Sequence, residues 1–139
     1  AIETAMRLSE QLNLLWQNVD LTKRTAFLPA EVTKGNRSRT VPLSDKAIKV
    51  LNEIPRHING KVFPMSLNYH NKGWRALTKR AGIVGLRWHD LRREATSRLF
   101  ESGLSVTEVQ SVTGHRTLQM LSTYTNHDAE KIVVKMRKL

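Results

Sequence analysis

The sequence contains no cysteine, which excludes disulfides, thiolate-built zinc sites and cysteine nucleophiles together. Long apolar runs are also missing: segments such as Ile132 to Val134 fall far short of the roughly 18 residues that a membrane span requires. No signal-peptide pattern opens the chain, so a soluble protein of the cytoplasm is expected, with no membrane partner. Acidic residues are few. The 12 Asp and Glu are scattered without the grouping by which metal-dependent nucleases hold their ions, and neither metal nor cofactor is expected. No internal repeat or low-complexity tract is present.

What the sequence has in excess is positive charge. Lys and Arg number 23, giving a formal net charge of +11 over 139 residues, an imbalance that points to a polyanionic partner. The length suits one compact domain. Residues Ala1 to Arg7 include no initiator Met and read as helix interior without a cap, so the chain is expected to be a piece of something longer, with the missing part upstream.

Ala5, Leu8, Leu12 and Leu15 recur at helical spacing, which predicts an amphipathic helix ending near Trp16, with Arg7 and Glu10 one turn apart off that stripe. Between Val19 and Leu43, Thr25 to Leu28 and Ser38 to Val41 are strand candidates separated by a turn at Gly35-Asn36, giving a small sheet of two or three strands. Ser44 reads as the N-cap of a helix through Ile54. A segment from about Leu67 to Ala81 sets Trp74, Leu77 and Ala81 against a basic face of Lys72, Arg75 and Lys79. His89 to Glu101 reads as a helix stopping at Gly103, and Ser105-Val106-Thr107-Glu108 has the form of a capping box for the next, which Gly114 ends. Thr117 opens a short helix to about Tyr124, and Asp128 a last one holding Ile132, Val133 and Met136.

A polyanion with a phosphate backbone directs attention to arginine, whose planar fork donates paired hydrogen bonds to phosphate oxygens and keeps its charge. Arg92 lies one turn from His89 in Trp88-His89-Asp90-Leu91-Arg92, so the two share a helix face. Gly114-His115 follows, and Tyr124 comes nine residues after that histidine. Lys72, Arg75 and Lys79, with Arg37 and Arg39 on the hairpin, are candidates for holding that phosphate backbone.

In this order the segments resemble the catalytic domain of the tyrosine recombinase, or phage integrase, family. Met6-Arg7-Leu8-Ser9-Glu10 followed by Leu14-Leu15-Trp16 resembles its first arginine box. Thr33-Lys34-Gly35-Asn36 before Val41-Pro42-Leu43 resembles its β-hairpin lysine, and His89-Asp90-Leu91-Arg92 its His-x-x-Arg box. Gly114-His115, with Gln119-Met120 and Tyr124, resembles the block carrying the third basic residue and the nucleophile. Ala5 stands where many relatives have glycine and Arg93 where many have histidine.

The resemblance implies a mainly α fold with a small antiparallel sheet (α+β), residues 1–139 forming a single catalytic domain whose core-binding and any arm-binding domains lie outside this chain. It implies a site-specific recombinase that cleaves and rejoins double-stranded DNA. In that reading Tyr124 attacks phosphorus to leave a 3′-phosphotyrosine link, and Arg7 and Arg92 clamp the non-bridging oxygens. Lys34 protonates the departing 5′ oxygen, His115 hydrogen-bonds a phosphate oxygen, and His89 exchanges a proton with Tyr124. Glu10 supports Arg7. The resemblance also implies a homotetramer on DNA for the full-length protein, with this piece monomeric, acting at the bacterial nucleoid. The C-terminal Ile132, Val133 and Met136 pack on this domain or on a neighbouring protomer. Two other readings stay open: a type IB topoisomerase, and a DNA-binding module that keeps the fold without catalysis.

Overall fold

The computed structural model describes residues 1–125 together with Val133, Met136 and Arg137. Among these residues the chain forms six α-helices and one three-stranded antiparallel sheet, so the fold is α+β as expected.

The N-terminal segment departs from the predicted helix. Ala5 takes a left-handed backbone, φ +50°, and Arg7 is extended, so helix α1 is confined to Leu8–Leu12. The apolar spacing that suggested a longer helix serves other ends. Ala5 is buried before the helix begins, and Leu15 pairs with Lys61 in an isolated bridge beyond it. A left-handed alanine costs on the order of 1–2 kcal/mol, a strain that a glycine at this position would avoid.

Strands β1 (Val19–Asp20), β2 (Thr25–Leu28) and β3 (Arg39–Pro42) lie in that order, with Ala26 paired to Val41 and Leu28 to Arg39. The two-residue side-chain period turns Ala26, Leu28 and Val41 into the core and leaves Phe27 exposed. Between β2 and β3 the chain makes a short 3₁₀ turn, Ala30–Val32, and a loop in which Asn36, not Gly35, takes the positive φ of +48°.

Helix α2 (Asp45–Glu53) starts at Ser44, whose hydroxyl accepts the Ala47 N–H at 3.1 Å. Its Ala47 and Leu51 join Met6, Leu14, Trp16, Ala26, Leu28, Val41, Leu43, Val62 and Val112 in one core. Val112 is the contribution of α5 (Val106–Thr113), which packs on β3 and is started by the predicted Ser105–Glu108 capping box and stopped by left-handed Gly114. Helix α4 (Trp88–Glu101) packs on α5 through its buried Ala95 side. The short α6 (Gln119–Ser122) is anchored by fully buried Leu121.

Helix α3 (Leu67–Arg80) forms where the spacing places it, although none of its residues is buried and Leu77 is 47% exposed. It is joined to α4 instead by aromatic contacts: Trp88 meets His70 and Trp74 edge-on, with ring centroids 4.4 and 4.9 Å apart, and the Trp74 indole N–H donates to Leu86 O at 3.2 Å. The helix expected from Asp128 lies almost wholly outside the described residues, although Val133 and Met136 are described and exposed.

The two faces of β2 give a direct test of this packing. Leu28→Ala is expected to lower unfolding free energy by about 3 kcal/mol, because it leaves a cavity in a closed core, and Phe27→Ala by under about 1 kcal/mol. Urea denaturation of both variants measures the difference.

Candidate active site

Glu10 is the acid about which the basic residues are arranged. Its side chain is fully buried, yet it is an ion: Arg39 binds it with two parallel hydrogen bonds of 2.8 Å, Arg7 Nη1 adds a third at 3.0 Å, and the Arg7 backbone N–H a fourth at 2.7 Å. Burial opposes its ionisation, but these donors, Arg39 first among them, hold its pKa below the ordinary carboxylate value. Arg39 was expected on the DNA backbone. The structure instead places its guanidinium against Glu10 and, through Nε, against Val112 O at 3.0 Å, with the side chain only 10% exposed.

Around this ion pair the N-terminal loop, β3 and the end of α5 converge. Arg7 Nη2 donates to Gly114 O at 3.3 Å. Arg92, on the inner face of α4 and 3% exposed, donates from Nη1 to Ala5 O and from Nη2 to Thr113 O at 2.7 Å. The strained turn at Ala5 thus presents a carbonyl to Arg92. Each arginine has five N–H groups, and Arg92 engages two in these bonds. Burial and the nearby Arg7 push the Arg92 pKa down to about 10, so it is charged at neutral pH.

Gly114 is required here for two reasons. Its φ of +69° is the left-handed turn that ends α5, and a Cβ on it would lie 3.0 Å from the Arg39 guanidinium. The turn brings Thr113 and His115 together, Thr113 Oγ1 lying 2.7 Å from His115 Nδ1. His115 is half-buried, and burial followed by the charges of Arg92, Arg7, His89 and Arg39 lowers its pKa to about 4. His89, one turn before Arg92, is more exposed; desolvation and then Arg92 lower its pKa, with Asp90 opposing. Asp90 caps α4 by accepting the Arg87 N–H at 2.9 Å. The Tyr124 ring is half-buried, 6.3 Å from that of His115 between centroids.

Arg7, His89, Arg92, His115 and Tyr124 are therefore brought to one place. A hollow of about 310 Å³ opens beside them, lined by Arg7, Thr33, Gly35, Arg37, Gln110 and Arg116 among others. Lys34 is exposed on the loop between two of these lining residues, Thr33 and Gly35. Lys72, Arg75 and Lys79 lie exposed on α3. Sequence reasoning missed Thr113 and Arg116, which flank the Gly114-His115 pair and carry no periodic signal. Among the described residues no three His, Asp or Glu side chains gather as a metal site would require, and no helix is long and apolar enough to cross a membrane.

Comparison with known proteins bears on this cluster. The model of the phage integrase family matches residues 1–131. The chain is 43% identical over 137 residues to the shufflon-specific DNA recombinase of Escherichia coli, covering 98% of this chain and 35% of that protein. It is 32% identical over 141 residues to the integrase of Salmonella phage P22, covering 89% of this chain and 36% of that one. Its fold superposes on the Tn1549 transposon integrase, solved in complex with a circular intermediate DNA, with a TM-score of 0.79 and 17% identity over 99% of this chain and 56% of that one. The chain thus spans about a third of the length of the curated relatives it matches.

The ion pair at the centre yields a stability prediction. Arg39→Ala leaves buried Glu10 with Arg7 alone and is expected to cost about 3 kcal/mol or more. In the parent chain the folded-state pKa of Glu10 lies below its unfolded value, so its contribution is complete at neutral pH and is lost as pH falls below the usual carboxylate range. In the variant Glu10 lacks its main donor, so the loss on acidification is expected to shrink or reverse, read from denaturation midpoints measured across pH 3 to 7.

Proposed function

This chain belongs to the phage integrase family, and on that premise we propose that it is the catalytic domain of a tyrosine site-specific recombinase, cleaving and rejoining double-stranded DNA through a 3′-phosphotyrosine link to Tyr124. The observation that carries this reading is the convergence of Arg7 and Arg92 beside His115, with Tyr124 next to them. Two guanidinium groups with unengaged N–H donors form a site for a phosphodiester whose negative charge grows as a fifth oxygen approaches phosphorus.

In this reading the reaction is a transesterification. The Tyr124 oxygen bonds to phosphorus, the bond to the 5′ oxygen breaks, and that oxygen leaves with a proton. The phosphodiester is replaced by a phosphotyrosine diester of similar energy, so no external energy source is required. The phenol gives its proton to a neutral imidazole, and both His89 and His115 are held neutral by burial and by the surrounding arginines. Lys34, on an exposed loop beside the hollow, supplies the leaving-group proton.

The exposed Arg37, Lys72, Arg75 and Lys79, in a chain of net charge +11, supply phosphate contacts away from the reacting centre. The names of the relatives support DNA as the partner. Assembly as a homotetramer on DNA, with action at the bacterial nucleoid, completes the proposal.

Incubation with a duplex nicked beside its cleavage point is expected to trap a covalent protein–DNA adduct, visible as a shifted band under denaturing conditions. Tyr124→Phe abolishes it, and chelator leaves it unchanged. Adduct formation that survives Tyr124→Phe would sink the assignment of the nucleophile. Relaxation of plasmids lacking a recombination site would favour a topoisomerase, and salt-sensitive binding without any adduct a non-catalytic module.

Lys34→Ala is expected to slow cleavage by about 100-fold or more. A substrate whose 5′-bridging oxygen is replaced by sulfur, a leaving group that needs no proton, should recover most of that rate. Equal losses on both substrates would remove Lys34 as the general acid.

A further inference from the structure

We propose that Thr33 is a positioning residue for Lys34, closing the loop between β2 and β3 into a small ring that sets the lysine ammonium at the departing 5′ oxygen. The ring itself follows from hydrogen bonds whose donors are fixed by atom type. Its service to Lys34 rests on the recombinase reading.

Thr33 follows the 3₁₀ turn Ala30–Val32 and directly precedes Lys34. Its Oγ1 accepts the Arg37 backbone N–H at 3.1 Å, a contact with one possible direction, because an amide nitrogen donates and does not accept. The hydroxyl hydrogen has two carbonyls within reach, Ala30 O at 3.0 Å and Arg37 O at 2.9 Å. Both can only accept, so the hydroxyl donates to one of them while it accepts from Arg37. The backbone adds two more bonds, from Thr33 N–H to Ala30 O at 3.0 Å and from Asn36 N–H to Thr33 O at 3.2 Å. Asn36 takes the left-handed φ of +48° that turns the chain back toward Thr33, a conformation that asparagine tolerates better than most residues. Lys34, Gly35 and Asn36 are thus enclosed between Thr33 and Arg37.

The ring stands on a fixed base. Only Ser38 separates it from Arg39, which pairs with Leu28 across the sheet and whose guanidinium is bound to Glu10. Glu10 in turn binds Arg7. A continuous set of hydrogen bonds therefore leads from the Arg7 guanidinium to the backbone on either side of Lys34. Lys34 is exposed, beside the hollow that Arg7, Thr33 and Gly35 line.

A lysine on an open loop samples many positions of its ammonium, and it contributes as an acid only from those within hydrogen-bond reach of the leaving oxygen. Closing the ring removes backbone freedom from that search and leaves the lysine rotamers untouched. In the cleavage step the Tyr124 oxygen bonds to phosphorus, and the bond from phosphorus to the 5′ oxygen breaks with its electron pair going to that oxygen. The Lys34 ammonium gives the oxygen a proton and becomes a neutral amine. Rejoining returns the proton from the 5′ hydroxyl to Lys34. Thr33 acts in this step only through Lys34, so its loss costs no more than the loss of Lys34 itself.

Amide hydrogen exchange of this chain tests the ring without any substrate. Thr33→Val keeps the β-branched shape and removes the hydroxyl. The Arg37 N–H is expected to exchange roughly 10-fold faster in Thr33→Val than in the parent or in Thr33→Ser. Equal exchange in the parent and the valine variant would overturn the ring. In adduct formation by the recombinase, Thr33→Val is expected to slow cleavage about 10-fold, while Thr33→Ser stays close to the parent. A substrate with sulfur in place of the 5′-bridging oxygen should restore the valine variant to the parent's rate. A loss of equal size on both substrates would overturn the positioning role. With Lys34→Ala already in place, Thr33→Val is expected to add no further loss, and an additive loss would overturn the role as well. Failure of the sulfur substrate to rescue Lys34→Ala would overturn the reading of Lys34, and absence of adduct from the parent on every duplex tried that of the recombinase. Either removes the role of Thr33 toward Lys34, while amide exchange still decides the ring.

Discussion

The buried carboxylate of Glu10 is the constraint on which the site depends. An ion in the interior is tolerated only when its hydrogen-bonding capacity is filled, because desolvation would otherwise cost several kcal/mol. Here the filling is done by Arg39 from the sheet, by Arg7 from the loop before α1, and by the Arg7 backbone. Any shift of β3 against the N-terminal loop would break a charge-assisted bond in a place water does not reach. Arg39 then carries the constraint to the end of α5 through Val112 O, so three distant parts of the chain are registered by one acid.

A consequence is that positive charge can be concentrated without the site flying apart. Arg7, Arg39 and Arg92 lie close together, and burial, with that crowding added to it, lowers the pKa values of Arg92 and His115. Glu10 offsets part of it, and backbone carbonyls of Ala5, Val112, Thr113 and Gly114 take most of the rest as hydrogen-bond acceptors. The carbonyls are dipoles and carry no net charge, so the site keeps an excess of positive charge for an anion. Burial, together with the same excess, makes the histidines neutral bases near pH 7 where in water they would be partly protonated.

Much of the fold could be read from local patterns. The Ser44 cap, the Ser105–Glu108 capping box and the αL glycine after α5 all occur where the sequence places them, because each satisfies helix-end groups with residues only three or four positions away. The alternation of Ala26, Leu28 and Val41 did the same for the sheet. The N-terminal helix was misread for the converse reason. Ala5 and Leu15 are apolar because a non-local core and a bridge to Lys61 need them, and periodicity cannot tell that from a helix face. On α3 the spacing of Trp74 and Leu77 did mark the helix, which an aromatic contact with Trp88 joins to α4.

The sequence by itself determined the chemistry available: no thiols, scattered acids, an excess of base, and Arg7, Lys34, His89, Arg92, His115 and Tyr124 in a recognisable order. Which arginine would face a phosphate and which would hold a neighbour was decided only by the tertiary structure. Arg39 reads as one more basic residue on a hairpin until β3 meets Glu10 across 29 positions of sequence, where burial forces it into the ion pair. His115 reads as a generic histidine until the turn at Gly114 sets its ring against Thr113, where burial and the nearby arginines lower its pKa. Residue type states what a group can do; which of its hydrogens and lone pairs remain free depends on partners that only folding brings within reach.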